Sequence, residues 1–184
     1  MNMQETNVEA AYDLLHTGGA SSEAICAAIV QLGKPLNEEQ IHRVSSVVAQ
    51  YLHHENFLVR NRSIWFLGCW GKLPGYLNAV IDAAKSDDEL DNRAFAARCA
   101  GQILKKVKAK AAIESLFEMV NDPAEVPDVR LAAYSALLYA YKGDKARAEA
   151  SDFEPMGDKQ LGDFDLSWLA SLPKWAEGLP DRAA

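Results

Sequence analysis

The sequence predicts an all-α protein, and three observations carry that prediction. Apolar residues recur at three- and four-residue spacing along most of the 184-residue chain. Capping-box patterns stand ahead of several of these runs, and no alternating apolar–polar run is long enough for a strand. A chain of this length can bury one substantial core, so a single domain over 1–184 is expected.

Each element follows from its own signals. Thr6-Asn-Val-Glu9 has capping-box spacing and predicts a helix over 7–16, stopped by Gly18-Gly19; a second is expected over 22–33, up to Gly33-Lys34-Pro35. Asn37-Glu-Glu-Gln40 opens a helix over 38–53 with Ile41, Val44, Val48 and Leu52 on one face. The stretch NFLVRNRSIWFLGCWG predicts a helix over 57–70, ended by Gly71 and Pro74-Gly75. A short helix over 75–85 carries Leu77 and Ile81, and Ser86-Asp-Asp-Glu89 leads into 88–106. A helix over 109–121, with Ile113, Leu116 and Val120, stops before Pro123, and another over 127–142 stops at Gly143. The segment SDFEPMGDKQLGD is too polar and too broken by Pro155, Gly157 and Gly162 for a helix. After it, DFDLSWLASLPKW returns to helical spacing, with a helix over 164–172 and Phe164, Trp168, Leu172 and Trp175 on one stripe.

The net charge of −7 is unevenly spread. Residues 1–55 hold seven acids and two bases, 56–143 ten acids and twelve bases, and 144–184 nine acids and five bases. An acidic wrapper therefore surrounds a mildly basic middle, and this balance argues against a nucleic-acid partner, which needs a basic footprint. No apolar run reaches membrane-span length, and residues 1–9 lack the basic and apolar regions of a leader, so no membrane partner and a cytoplasmic location are expected. Cys26, Cys69 and Cys99 are odd in number and far apart, which predicts reduced, buried thiols.

Internal repetition is the strongest organising signal. Val59-Arg60, Asn92-Arg93 and Val129-Arg130 align with periods of 33 and 37 residues; small residues follow three positions on (Ser63, Ala96, Ala133), and Leu67, Ala100 and Leu137 follow seven on. Each of these helices is preceded by another amphipathic one. VRNRSIWFLG and VRLAAYSALL, with NRAFAARCAG as a weaker copy, resemble the second helices of the HEAT-repeat family and its short bacterial variants. The resemblance implies a short right-handed α-solenoid with three hairpins over 38–143, capping helices over 1–37, and a linker with a C-terminal capping segment over 144–184. In the family an Asp six residues ahead of the Arg builds a polar ladder, and here Asp87 stands at that offset, with His54 and Ala124 at the other two. The resemblance implies that Arg60, Arg93 and Arg130 bridge neighbouring repeats. It also implies that second helices line a concave face.

At about 100° per residue, Val59, Ser63, Phe66, Leu67 and Trp70 fall on the core side of 57–70, leaving Trp65 opposite with Asn61 and Gly68. Carried through the repeats, that register makes Asn61, Ala94 and Leu131, then Trp65, Arg98 and Ser135, then Cys69, Gln102 and Tyr139 the groove positions, with Lys72, Lys105 and Lys142 one turn further. Trp, Tyr and Arg are enriched at binding hot spots, so this face is the expected partner-binding site. Catalytic and cofactor signals are weak: adjacent His53 and His54 point about 100° apart, and the zinc-protease, Cys-pair, phosphate-loop and serine-elbow patterns are missing. We therefore expect a non-catalytic protein-binding solenoid with no cofactor. An immunity or inhibitor protein, or an adaptor, suits its size and acidity, with a toxin or other basic protein as partner. The alternatives by resemblance are a bilin-lyase-like protein and a nucleic-acid-binding solenoid.

Overall fold

A computed structural model describes residues 3–33, 36–142, 162 and 166–181, the side chains of 3–6 and 142 excepted. Helices account for most of these residues, and no strand occurs among them. In chain order they are α1 (Met3–Thr17), α2 (Ser22–Leu32), α3 (Glu38–Ala49, extended by a 3-10 turn over Gln50–His53), α4 (Phe57–Ile64, continued as a π-helix over Trp65–Trp70), α5 (Leu77–Ser86), α6 (Leu90–Leu104), α7 (Lys110–Asn121), α8 (Pro127–Lys142) and α9 (Leu172–Ala176), which follows a 3-10 turn over Ser167–Ser171. None is long and apolar enough to cross a membrane.

Local signals explain most starts, with two corrections. Asn37 and Gln40 form the expected capping box: Asn37 Oδ1 accepts from the Gln40 N–H at 2.8 Å and Gln40 Oε1 from the Asn37 N–H at 3.0 Å. Thr6 lies inside α1, which begins at Met3, so Thr6–Glu9 is not a start signal. Ser86 ends α5, its hydroxyl donating to Asp82 O, while Asp87 accepts from the Glu89 N–H and turns the chain into α6. The expected stop at Gly143, residues 144–161 of the expected linker and Phe164 lie outside the described residues.

Packing follows the pairing that the sequence predicts. α1 meets α2, α3 with its 3-10 extension meets α4, α5 meets α6, and α7 meets α8. The second helices also touch in series, α2 on α4, α4 on α6 and α6 on α8. Two close approaches need glycine. A Cβ on Gly68 would stand 2.6 Å from Cys99 Cβ, and one on Gly101 would stand 2.7 Å from Ala136 Cα. The small buried residues Ala96, Ala97, Ala100, Ala132, Ala133 and Ala136 let α6 and α8 approach closely. At the N-terminal side Arg43 bonds Glu9 at 2.6 Å and covers the Tyr12 ring, tying α3 to α1.

The C-terminal segment closes the other end. Trp168 stacks on Tyr141 and its indole N–H reaches Tyr134 Oη at 3.4 Å, Trp175 meets Tyr141 edge-on, and Leu169, Leu172 and Ala176 are buried. The Lys110 N–H donates to Pro180 O at 2.8 Å. The segment thus lies across α7 and α8, where Leu138, standing in the position of Gly68 and Gly101, is fully buried.

Candidate functional site

The polar structure of the site begins at the turns between hairpins. Arg60 on α4 makes a two-pronged bond to Asp87 at 2.8 Å for each prong, and its third nitrogen donates to His54 O and Glu55 O. Asn92 donates to Phe57 O at 3.0 Å and accepts from Asn61 Nδ2 at 2.9 Å. These bonds fasten the first turn of α4 to the first turn of α6. Burial pushes the Asp87 carboxyl up, but the hydrogen bonds from Arg60 and from the Glu89 N–H, the attraction of Arg60 and the contact with Asn92 outweigh it and hold it below the usual range. One step along, Arg93 pairs with Glu125. Glu125 stands five residues ahead of Arg130 rather than six, and its longer side chain does the work of the missing Asp. Arg130 donates to Val120 O within its own hairpin.

The structure places the predicted groove residues less openly than the helical wheel implies. Gln102, Leu131, Ser135 and Tyr139 are buried, as is Ala94, so these positions offer no open surface. Lys105 lies over the Tyr139 ring at 4.0 Å, a cation–π contact. Asn61 is half-buried and bonded to Asn92. Trp65 is half-buried, with the far edge of its ring so close to Gly33 that a Cβ there would collide with it; it closes the end of α2 and is not free in a groove. Arg98 is half-buried, and burial lowers its basicity against the opposing attraction of Asp128 and Asp91.

Two of the row's lysines, Lys72 and Lys105, differ in backbone conformation. Lys72 lies beyond the π-helix with φ of 49°, outside the helical register, while Lys105 caps α6 in right-handed conformation. Lys142 ends α8, and its side chain lies outside the described residues. Over Trp65–Trp70 the helix turn widens, as the Gly71 N–H bond to Phe66 O at 2.9 Å shows, and Phe66, Leu67, Gly68 and Cys69 are buried there.

Cysteine chemistry also differs from expectation. Cys69 and Cys99, both buried, are joined in a disulfide that ties the π-helix to α6, and Cys26 is free. Burial raises the Cys26 thiol, with nearby Arg62 pulling the other way and Glu23 adding to the rise. The sequence signal missed was register: Cys99 sits two residues before Gly101, and Cys69 beside Gly68, on the faces where adjacent second helices come closest. A recess of about 460 Å³ opens beside the first ladder, lined by Glu55, Asp82, Asp87 and Asp88 with Arg60, His53 and His54. No group of three or more His, Cys, Asp or Glu side chains arranged to hold a metal ion occurs among the described residues. No known protein family, characterised protein or solved structure matches the chain.

Proposed function

We propose that the chain is a non-catalytic protein-binding module: a short right-handed α-solenoid of HEAT-like hairpins that acts as an inhibitor, immunity protein or adaptor. The observation that carries the reading is the repeated join between hairpins. Arg60–Asp87 and Arg93–Glu125 bridge neighbouring units at a 33-residue spacing of their arginines, and second helices touch in series from α2 to α8. Such stacks hold their shape through nearest-neighbour contacts and offer one long surface, which is the property a protein-docking scaffold needs. Asn61, Trp65, Lys72, Arg98 and Lys105 are the predicted partner-facing positions that are half-buried rather than buried. The net charge of −7 favours a basic partner, such as a toxin, because opposite fields speed encounter.

The test is to capture partners on the tagged full chain, purify the one that binds stoichiometrically, and measure its association rate against salt. The expected result is a steep fall of the on-rate between 50 and 500 mM salt, roughly the range over which the Debye length drops from above 10 Å to a few Å, with dissociation nearly unchanged. A partner whose association ignores salt would remove the electrostatic part of the proposal. A small molecule turned over by the purified chain would remove the non-catalytic part.

A further inference from the structure

The large apolar side chains left exposed are few, and three of them gather on one edge. Phe57 (45% exposed) and Leu58 (47%) open α4, and Leu90 (48%) opens α6. Phe57 and Leu90 are repeat equivalents, 33 residues apart. The bonds from Asn92 to Phe57 O and from Asn61 to Asn92, with Arg60–Asp87 beneath, hold the two first turns side by side, so these side chains form a fixed ledge. Around it stand the exposed carboxylates of Glu55, Asp88, Glu89 and Asp91. Arg60, close to Asp88 and Glu89, is already committed to Asp87, half-buried Arg98 lies near Asp91, and Arg62 lies toward Cys26. Glu55 and Asp88 also line the 460 Å³ recess, where Asp82 adds a further carboxylate.

Acids in first turns are favoured by the helix dipole alone. Half-exposed Phe and Leu beside them gain nothing from that dipole. An apolar ledge whose exposed rim is mainly carboxylate is complemented by a segment with apolar anchors flanked by Lys or Arg. We propose that the ledge of Phe57, Leu58 and Leu90, with the acidic recess beside it, is where a basic amphipathic segment of a partner protein docks. Its apolar side chains lie on the ledge and a lysine or arginine enters the recess. This rests on the protein-binding reading above and specifies its surface and the chemistry of its partner.

The test uses the full chain, ¹⁵N-labelled, with two synthetic amphipathic peptides, one of Leu and Lys and one of Leu and Glu at the same positions. The Leu/Lys peptide is expected to shift amide signals of residues 55–58 and 88–91 and to bind at least ten times more tightly than the Leu/Glu peptide. Phe57→Ser with Leu90→Ser should weaken it at least tenfold at unchanged melting temperature, since both side chains are exposed. Shifts centred elsewhere, or equal binding of both peptides, overturn the ledge. A chain that self-associates until Phe57→Ser and Leu90→Ser make it monomeric also overturns it, the ledge then being a contact between copies. If a natural partner is captured and ignores the double variant, the ledge fails while the protein-binding reading stands; if no protein binds the full chain, the reading and the ledge fall together.

Discussion

Helices α4 and α6 align in sequence at a spacing of 33 residues, and they fold differently. Both open with a ladder arginine, Arg60 or Arg93, and both carry a glycine eight residues later, Gly68 or Gly101, at a point where the next second helix leaves no room for a Cβ. α6 keeps α geometry from Leu90 to Leu104, whereas α4 keeps it only to Ile64 and then widens into the π-helix over Trp65–Trp70. The two helices also differ in side-chain bulk: α6 buries mainly alanines along its middle, while Trp65–Trp70 buries Phe66 and Leu67 beside Gly68 and Cys69. Repeat equivalence therefore fixes where chains touch. It does not fix the backbone between the touching points.

The largest effect separates the two ladders. The Arg60 and Asp87 side chains are 11% and 2% exposed, against 19% and 9% for Arg93 and Glu125. Arg60→Met strands a buried carboxylate and should cost about 3–5 kcal/mol of unfolding free energy. Arg93→Met should cost less, about 1–3 kcal/mol. Urea unfolding of both variants measures the gap, and equal losses would erase the contrast between the two joins. Because the folded Asp87 carboxyl is held below its ordinary value, its contribution is fully present above the unfolded carboxylate pKa, about 3.9, and is lost as pH falls through the depressed folded value. Arg60→Met should therefore flatten the acid limb of the stability profile, and Arg93→Met should leave that contribution in place.

The disulfide comes next, since it links the two unlike helices directly. Cys69 lies in the π-helix and Cys99 in α6, 30 residues apart in sequence. Closing a loop of that length should be worth about 2–4 kcal/mol, so a dithiol reductant, or Cys69→Ala with Cys99→Ala, should lower the unfolding midpoint accordingly. Thiol titration of the native protein should count one free sulfhydryl, Cys26, before reduction and three after. Three before reduction would show the helices held by packing alone.

How much of this was legible in the sequence depends on the interaction. The helices and the shared stripe of Trp168, Leu172 and Trp175 follow from periodicity, which is local and survives small errors in register. The ladder followed in part: Asp87 stood at the expected offset, but Glu125 was hidden one residue away, where a longer side chain reaches the same place. The wheel placed Trp65 facing outward because it showed only the side of α4 turned from α3; α2 packs against α4, and Trp65 closes over Gly33 at its end. Burial of Gln102, Ser135 and Tyr139 was equally out of reach, since it depends on neighbours distant in the chain. The apolar ledge was present as Phe57 and Leu58 just ahead of Val59-Arg60, off the core stripe, but only the bond of Asn92 to Phe57 O sets it beside Leu90.

The smallest expected effect tests the backbone difference at its end point. Lys72 and Lys105 are 33 residues apart, the same residue in the same repeat position, yet Lys72 has φ of 49° and Lys105 continues the right-handed helix with φ of −63°. A side chain in the left-handed region costs about 1–2 kcal/mol that glycine avoids. Lys72→Gly should therefore raise stability by about 1 kcal/mol, less whatever the looser unfolded chain takes back. Lys105→Gly meets the opposite balance: it loses about 1 kcal/mol of helix propensity, and the contact with the Tyr139 ring goes with it. The two substitutions should shift the denaturation midpoint in opposite directions. A shift of the same sign in both would mean that Lys72 and Lys105 share one conformation, and that the π-helix does not turn the chain out of register after Trp70.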